Sequence, residues 1–455
     1  MKKLIALLLA LVMVLGLVAC GGSSEETEAT EAATEGASEA ATEGASSSAA
    51  GKVYYLNFKP EADAAWQELA ATYTAQTGVP VTVVTAAGGE YSQTLNAEML
   101  KDEAPTLFQC GNAQGLIDWD EYCLDLTGTA FANELTTDDF NLYNANGELK
   151  CVGYCYEAFG IIVNKALLET AGYSIEDITN FDSLKTIAED IHARSAELGF
   201  DAFASAGLDS SSSWRFSGHL ANMPLYYEFE DDGVTEQPAT ITGAYLDNYK
   251  AIWDLYINNS SVAPSSLSTA TGDMSQAEFG TSKAVFWQNG TWEYDNLVNN
   301  AELGYNMNAE DLQMIPIYCG VEGEENAALC CGTENCWAVN AKASEEDIQA
   351  TLDFLYWVVT SDEGTTMMAE QFGPIPFKNA KEPANVFFAD ANELIANGNY
   401  TVTWAFNYTP NVDSWRATVV TALTAYSADP TDANWEAVKS AFVDGWAYEY
   451  EIQNG

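Results

Sequence analysis

VYYLNFKPEADAAWQELAATYTAQTGVPVTVVT, residues 53–85, is the stretch from which the fold is read. Residues 53–58 are an apolar run with the look of a buried strand. Ala62, Ala65, Trp66, Leu69, Ala70 and Tyr73 then recur at the spacing that puts them on one face of a helix. Gly78 closes that helix, because glycine takes the left-handed terminal conformation without steric cost, and residues 79–85 form a β-branched strand. The alternation continues with a loop at Gly88-Gly89, a helix over about residues 91–100, and Ala104-Pro105 leading into a third strand through Cys110. Strand, helix, strand, helix, strand in this order predicts an α/β chain on a mostly parallel sheet, whose ligands bind beyond the carboxyl ends of the strands. Lys59, Glu90, Tyr91 and Asn112 fall at or just past such ends and are site candidates by position.

Beyond Gly153, residues 159–164 read as another strand, residues 181–198 as helical, and 209–213 as a polar loop leading to Trp214-Arg215. A long helix is expected over 245–258, and a short apolar strand over 284–288 ends at Asn289-Gly290-Thr291-Trp292. Ser344 with Asp347 resembles a capping box for a helix carrying Ile348, Leu352, Leu355 and Val359 on one stripe. Phe372-Gly373-Pro374-Ile375-Pro376 breaks structure. Two last helices are expected over about 415–426 and 434–448; Trp435, Val438, Phe442 and Trp446 make a core stripe on the second, so its two tryptophans are assigned to packing.

At the other end, Lys2 and Lys3 precede an apolar run, residues 4–18, that ends in Leu17-Val18-Ala19-Cys20. A run of about 15 apolar residues is short for a membrane span and suits the core of a signal peptide. The tetrapeptide looks like a lipobox. Residues 1–19 are therefore expected to be a lipoprotein signal peptide, with Cys20 as the lipid anchor (diacylglyceryl and palmitate) on the outer face of a bacterial cell membrane. After Cys20, residues 21–51 hold only Gly, Ser, Glu, Thr and Ala, with Glu-Ala-Ala-Thr-Glu-Gly-Ala-Ser at 31–38 and again at 39–46. Residues 20–51 are expected to act as a flexible acidic tether with a reach of roughly 30 Å.

Of the 455 residues, the part behind the tether is too long for one compact core and suits two domains. With 67 acidic against 17 basic residues, the net charge of -50 excludes nucleic acid as a partner and disfavours polyanionic ligands. A neutral or cationic ligand remains. The 12 Trp, 23 Tyr and 19 Phe include rings to spare for apolar sugar faces. Two histidines, His192 and His219, leave little room for a histidine-type zinc site or a Ser-His-Asp hydrolase. Neither a P-loop nor a G-x-S-x-G, G-x-G-x-x-G or EF-hand motif occurs. Beyond Cys20 stand Cys110, Cys123, Cys151, Cys155, Cys319, Cys330, Cys331 and Cys336. They read first as small buried hydrophobes and next as one or two disulfides. A metal cluster of Cys151-x3-Cys155 with Cys330-Cys331-x4-Cys336 ranks last, so neither metal nor cofactor is expected.

Five landmarks in order carry a resemblance: Leu56-Asn57-Phe58-Lys59, the stretch Glu157-Ala158-Phe159-Gly160-Ile161-Ile162-Val163-Asn164-Lys165, the Asn289-Gly290-Thr291-Trp292 turn, Gly373-Pro374-Ile375-Pro376, and the helix opened by Trp415. Over residues 53–450 the chain resembles the carbohydrate-type (family 1) extracellular solute-binding proteins of ABC transporters, the group that includes maltose-binding protein. The resemblance implies a two-lobed α/β, periplasmic-binding-protein-like fold with three chain crossings, near residues 153–157, 331–334 and 372–377. Lobe one would be 52–155 plus 334–372, and lobe two 158–330 plus 377–455. It further implies that Trp292 and Trp415 stack under sugar faces, that Trp214 offers a further ring, and that Lys59, Asn112 and Glu157 bond sugar hydroxyls; Tyr91 and Asn289 complete the expected ligand set. Cys110-Gly111 stands before Asn112 where relatives can carry an aromatic, which argues against maltose itself. The expected protein is a monomeric, non-enzymatic receptor that hands a neutral mono- or oligosaccharide to ABC-importer permease subunits. The alternatives are a surface glycoside hydrolase or a same-fold receptor for a non-sugar solute.

Overall fold

The structure is a computed structural model and describes residues 51–454. The signal peptide, the anchor at Cys20 and all but the last residue of the tether lie outside the described residues. The strands are β1 (Val53–Asn57), β2 (Val81–Thr85), β3 (Leu107–Gln109), β4 (Leu142–Tyr143), β5 (Leu149–Gly153), β6 (Glu157–Asn164), β7 (Asp201–Phe203), β8 (Ala284–Gly290), β9 (Leu312–Ile315), β10 (Ala327–Gly332), β11 (Cys336–Val339) and β12 (Tyr400–Thr403).

They form two sheets, one in the order β2-β1-β3-β11-β5-β4 and one in the order β12-β10-β6-β8-β7, with β9 also on β6. The opening stretch folds as its pattern predicts. β1 lies parallel to β2, with Val53 opposite Val81, and parallel to β3, with Tyr55 opposite Leu107. The helix Asp63–Thr77 crosses between β1 and β2 and ends at Gly78, whose φ of 77° is the left-handed value that favours glycine. The mostly parallel sheet needs correction, because β11 runs antiparallel to both β3 and β5, and in the second sheet β6 runs antiparallel to β8, β9 and β10. A chain that leaves one sheet after β5 and returns at β11 arrives in the opposite direction, which a pattern of local elements does not reveal.

Each sheet is packed on both faces. On the first, the helices Asp63–Thr77, Glu345–Thr360 and Asp362–Phe372 bury Trp66, Leu69, Phe354, Leu355 and Met368 against Tyr55, Trp337 and Val339, while Leu95 and Met99 of the helix Tyr91–Met99 close the other face with Phe108 and Ala338. On the second, the helices Phe181–Ala193, Asn222–Asp232, Leu246–Asn258, Val412–Ala428 and Asp432–Asn454 share one core, and the helices Gly272–Gly280 and Val386–Ala396 share another. The chain passes from the first sheet to the second between Gly153 and Glu157, and back between Gly332 and Cys336. The later passage differs from the expected 372–377. Phe377 is buried with the first core, Leu135 bridges to it, and the Lys381 ammonium meets the Asp362 carboxylate at 2.6 Å, so the chain leaves the first layer only beyond Lys381.

Ser344 caps its helix by accepting from Asp347 N at 3.1 Å; the reciprocal half of the expected box is missing because the Asp347 carboxylate takes the Lys52 N–H at 2.8 Å instead. The last two helices begin earlier than expected, at Val412 and Asp432. The polar loop of residues 209–213 runs into a π-helical turn, Arg215–Leu220, every residue of which is buried. Among the described residues no helix is long and apolar enough to cross a membrane.

Candidate functional site

A cavity of about 940 Å³ opens between the strand ends of the two sheets. From the first sheet it receives the loops after β1, β2 and β3. The second contributes Glu157 at the start of β6, the segment around Trp214, the end of β8, the loop carrying Trp404, and Arg416 in the first turns of the helix Val412–Ala428.

Lys59 leaves the end of β1 in a loop that Asn57 holds from both sides: Asn57 Nδ2 donates to Lys59 O at 2.7 Å and Lys59 N donates to Asn57 Oδ1 at 3.0 Å. Its ammonium, nearly buried, meets Glu157 Oε1 at 2.7 Å and Glu61 Oε1 at 3.6 Å. Burial works against the charged lysine, yet the carboxylates of Glu157 and Glu61 more than offset it and hold its pKa above the ordinary lysine range. Asn335 Nδ2 donates to Glu157 Oε2 at 2.7 Å, Tyr154 OH donates to Asn335 Oδ1 at 3.2 Å, and Gln109 Nε2 donates to Tyr154 OH at 2.6 Å. The ion pair thus joins the end of β1 to the start of β6, and its network runs through the first two passages between the sheets, at Tyr154 and Asn335.

Beside the ion pair lies a wall of rings, with the Lys59 ammonium 5.2 Å from the Trp292 ring centroid. Trp214 and Trp292, both half-buried, stand with centroids 6.0 Å apart, and the His219 ring lies 4.9 Å from the first and 5.3 Å from the second. His219 is itself stacked on Phe159 at 4.1 Å. Burial, followed by the charges of Arg416, Lys59 and Arg215, pushes the His219 pKa well below the ordinary value, so the ring is neutral at neutral pH. Glycine seats two of the tryptophans. A Cβ on Gly290 would fall 2.2 Å from the Trp292 ring and one on Gly332 would fall 2.4 Å from the Trp404 ring, so each indole lies directly on bare backbone.

The floor is polar. Glu293 accepts from Asn289 at 3.0 Å, Gln276 at 2.9 Å and Asn296 at 3.1 Å, and burial raises its pKa. Arg215, buried in the π-helical turn, donates to Ser212 Oγ at 2.7 Å, Ser275 Oγ at 2.9 Å and Gln288 O at 3.1 Å. Those partners are neutral, and burial brings its pKa down to about 10 against the pull of Glu293 and Glu278.

Of the sequence-predicted residues, Lys59, Tyr91, Asn112, Glu157, Trp214, Asn289 and Trp292 line this cavity. Tyr91 does so while clipping the sheet, its hydroxyl accepting from Gln109 N at 2.8 Å and donating to Leu56 O at 3.3 Å. Asn112 caps the helix Ala113–Trp119, its Oδ1 accepting from Gly115 N at 2.9 Å. Glu90 is not among the lining residues. Trp415 requires correction. It is 0% exposed, its indole N–H donates to Phe442 O at 2.9 Å, and Phe442 and Trp446 pack on its ring at 4.7 and 6.0 Å. With the helix starting at Val412, the next residue, Arg416, faces the cavity instead. The sequence reading missed Glu61, Arg215, His219, Glu293, Trp404 and Arg416. The polar and aromatic residues clustered around Trp214 and Trp292 were the available signal.

All eight cysteines of the described residues are free thiols, seven buried and Cys331 partly so. The pair of spacings read as a metal cluster is not what the fold assembles; Cys110, Cys123 and Cys151 come together instead.

The sequence model of the family described as bacterial extracellular solute-binding protein matches residues 68–396. No curated protein sequence matches. Similar solved structures include RafE in complex with raffinose (15% identity, TM-score 0.69, covering 88% of this chain and 99% of that one). A chitin oligosaccharide binding protein is similar at 16% identity and TM-score 0.66, covering 89% and 98%. The GacH receptor of Streptomyces glaucescens, described with acarbose, is similar at 18% identity and TM-score 0.65, covering 88% and 99%. These likenesses show that the fold is the two-lobed one of the periplasmic-binding-protein type.

Proposed function

This chain belongs to the bacterial extracellular solute-binding proteins, and on that premise we propose that it is a sugar receptor that delivers a mono- or oligosaccharide to an ABC importer. The observation that carries this reading is the joining of two kinds of surface in one cavity: the half-buried rings of Trp214 and Trp292, and directly beside them the Lys59–Glu157 pair with its amide partners, the Lys59 ammonium 5.2 Å from the Trp292 ring centroid. A pyranose has an apolar C–H face and a rim of hydroxyls. Stacking about 100 Å² of that face on an indole is worth about 2.5 kcal/mol. The hydroxyls then need partners in place, and a site built around fixed polar groups rejects a sugar that lacks one. The similar structures bind sugars, raffinose and chitin oligosaccharide among them, which supports the same ligand class.

In this reading Lys59, Asn112 and Glu157 bond hydroxyls, Trp214 and Trp292 stack, and Tyr91 and Asn289 shape the walls. The lobes are residues 52–155 with 334–381, and 158–330 with the chain from 386 onward. Ligand held by both lobes stabilises their closed arrangement, which the permease recognises. No covalent chemistry is assigned: the Glu157 carboxylate is occupied by Lys59 and Asn335, and Glu293 by three amides. The body is held to the outer face of the membrane by lipid on Cys20. A thermal-shift screen against raffinose, xylo-oligosaccharides, chitin oligosaccharides and ribitol tests the proposal. A cognate sugar at a hundred times its Kd adds about 2.7 kcal/mol of stability. No shift with any sugar, or recovery of cleaved oligosaccharide, would overturn it.

A further inference from the structure

Behind the cleft wall the first sheet assembles three sulfur atoms from separate parts of the chain. Cys110 follows β3, Cys123 follows the short turn Asp120–Tyr122, and Cys151 lies in β5, on the far side of β11 from β3. Their sulfurs all lie within 4.8 Å of one another, with Cys110 and Cys123 at 3.9 Å, and the three residues are 1%, 2% and 0% exposed.

We propose that Cys110, Cys123 and Cys151 form a three-coordinate thiolate site for a soft monovalent metal ion, Cu(I). A metal–thiolate bond of about 2.3 Å places three sulfurs around a central ion about 4.0 Å apart, so the sulfurs need move by less than about 1 Å to take one up. The donor set selects the ion. Three soft sulfurs suit Cu(I), whereas buried zinc takes four ligands, and among the described residues no histidine, carboxylate or fourth thiol completes the group. Leu56, Met99, Phe108 and Leu116 surround the sulfurs with apolar or thioether surface that excludes water. Binding releases the three thiol protons to solvent and leaves two negative charges on the complex. Lys150, whose ammonium donates to Cys123 O at 3.0 Å, stands beside them. Cys110 directly precedes Gly111-Asn112 of the cleft wall, so an ion here would tie that wall to β5.

The test is anaerobic titration of the reduced full-length protein with Cu(I), followed by ultraviolet charge-transfer absorption and competition with a Cu(I) chelator. One ion per chain is expected. Cys123→Ser and Cys151→Ser should weaken binding by at least about a hundredfold, while Cys319→Ser and Cys330→Ser, buried thiols elsewhere, leave it unchanged. X-ray absorption of the copper-loaded wild-type protein should show three sulfur neighbours and no nitrogen or oxygen, and this measurement decides the matter even if the variants fail to fold. Binding unaffected by Cys123→Ser, a two-coordinate or nitrogen-containing copper spectrum, or thiols missing from the denatured protein because two are joined as a disulfide would each overturn the proposal.

Discussion

Trp292 and Trp415 show how far a single residue can be read. Both stand near a loop or helix start, but only Trp292 reaches the cavity. Replacing Trp292 by Ala should weaken binding of the cognate sugar by about 2 kcal/mol with little loss of stability, as titration calorimetry beside a denaturant melt will show. Trp415→Ala should do the reverse, costing about 3–5 kcal/mol of stability with affinity retained by the folded fraction. The sequence did contain the distinction: Trp415, Val419, Leu423 and Tyr426 form a buried stripe on the helix Val412–Ala428, as Trp435, Val438, Phe442 and Trp446 do on the next helix. What it did not contain is the depth of Arg215 and His219. Burial of charged or titratable groups depends on partners far along the chain, here Ser275, Gln288, Phe159 and Trp404. Asp390 is another such residue. Its carboxylate accepts from Met314 N at 2.8 Å, and burial pushes its pKa up to about 6 despite that bond. The folded state therefore holds this proton more tightly than the unfolded state, so the contribution to stability falls as pH rises from about 4 to about 6 and is level above that. Asp390→Asn keeps an acceptor and removes the charge; it should stabilise the protein by about 1–2 kcal/mol at pH 7.5 and by nothing at pH 4 in thermal melts.

At the scale of elements, strand order was harder to read than strand presence. The run from β1 to β3 is local and alternates cleanly, and it folded as read. The insertion of β11 between β3 and β5 pairs Trp337 with Gln109 on one side and with Val152 on the other, partners far along the chain, and no window of sequence carries that information. The loops at strand ends are tuned by contacts of the same long range. Lys59→Ala would leave Glu157 buried beside Asn335 without its cation, which should cost about 3–5 kcal/mol; Lys59→Met combined with Glu157→Met should recover most of that loss in urea melts while abolishing sugar binding. Recovery of binding in the double variant would remove the ion pair from the proposed site. Gly290→Ala acts through geometry instead, since the added methyl meets the Trp292 ring. It should weaken binding about as much as Trp292→Ala, and quench or shift tryptophan emission in the free protein.

For the whole molecule, charge and lobe arrangement set the behaviour. A net charge of -50 makes the folded chain repel itself, so salt should raise the thermal midpoint steadily up to about 0.5 M and do so without any sugar present. A saturating sugar should reduce the radius of gyration in small-angle scattering, because the proposed mechanism closes two lobes on it; an unchanged radius would leave a rigid cleft and remove closure from the proposal. The place of β11 has one more consequence, for the order in which the chain becomes foldable. During synthesis β1, β2 and β3 emerge early, and so do β4 and β5, but the strand that joins these two parts into one sheet is made only after nearly the whole second sheet. Until residues 336–339 are out, the first sheet has two unsatisfied inner edges and cannot close its core. Its native pairings are of long sequence separation, which slows folding. The strand order thus withholds the completed first sheet until synthesis is almost over, which keeps that half of the chain open for any export machinery that handles unfolded protein.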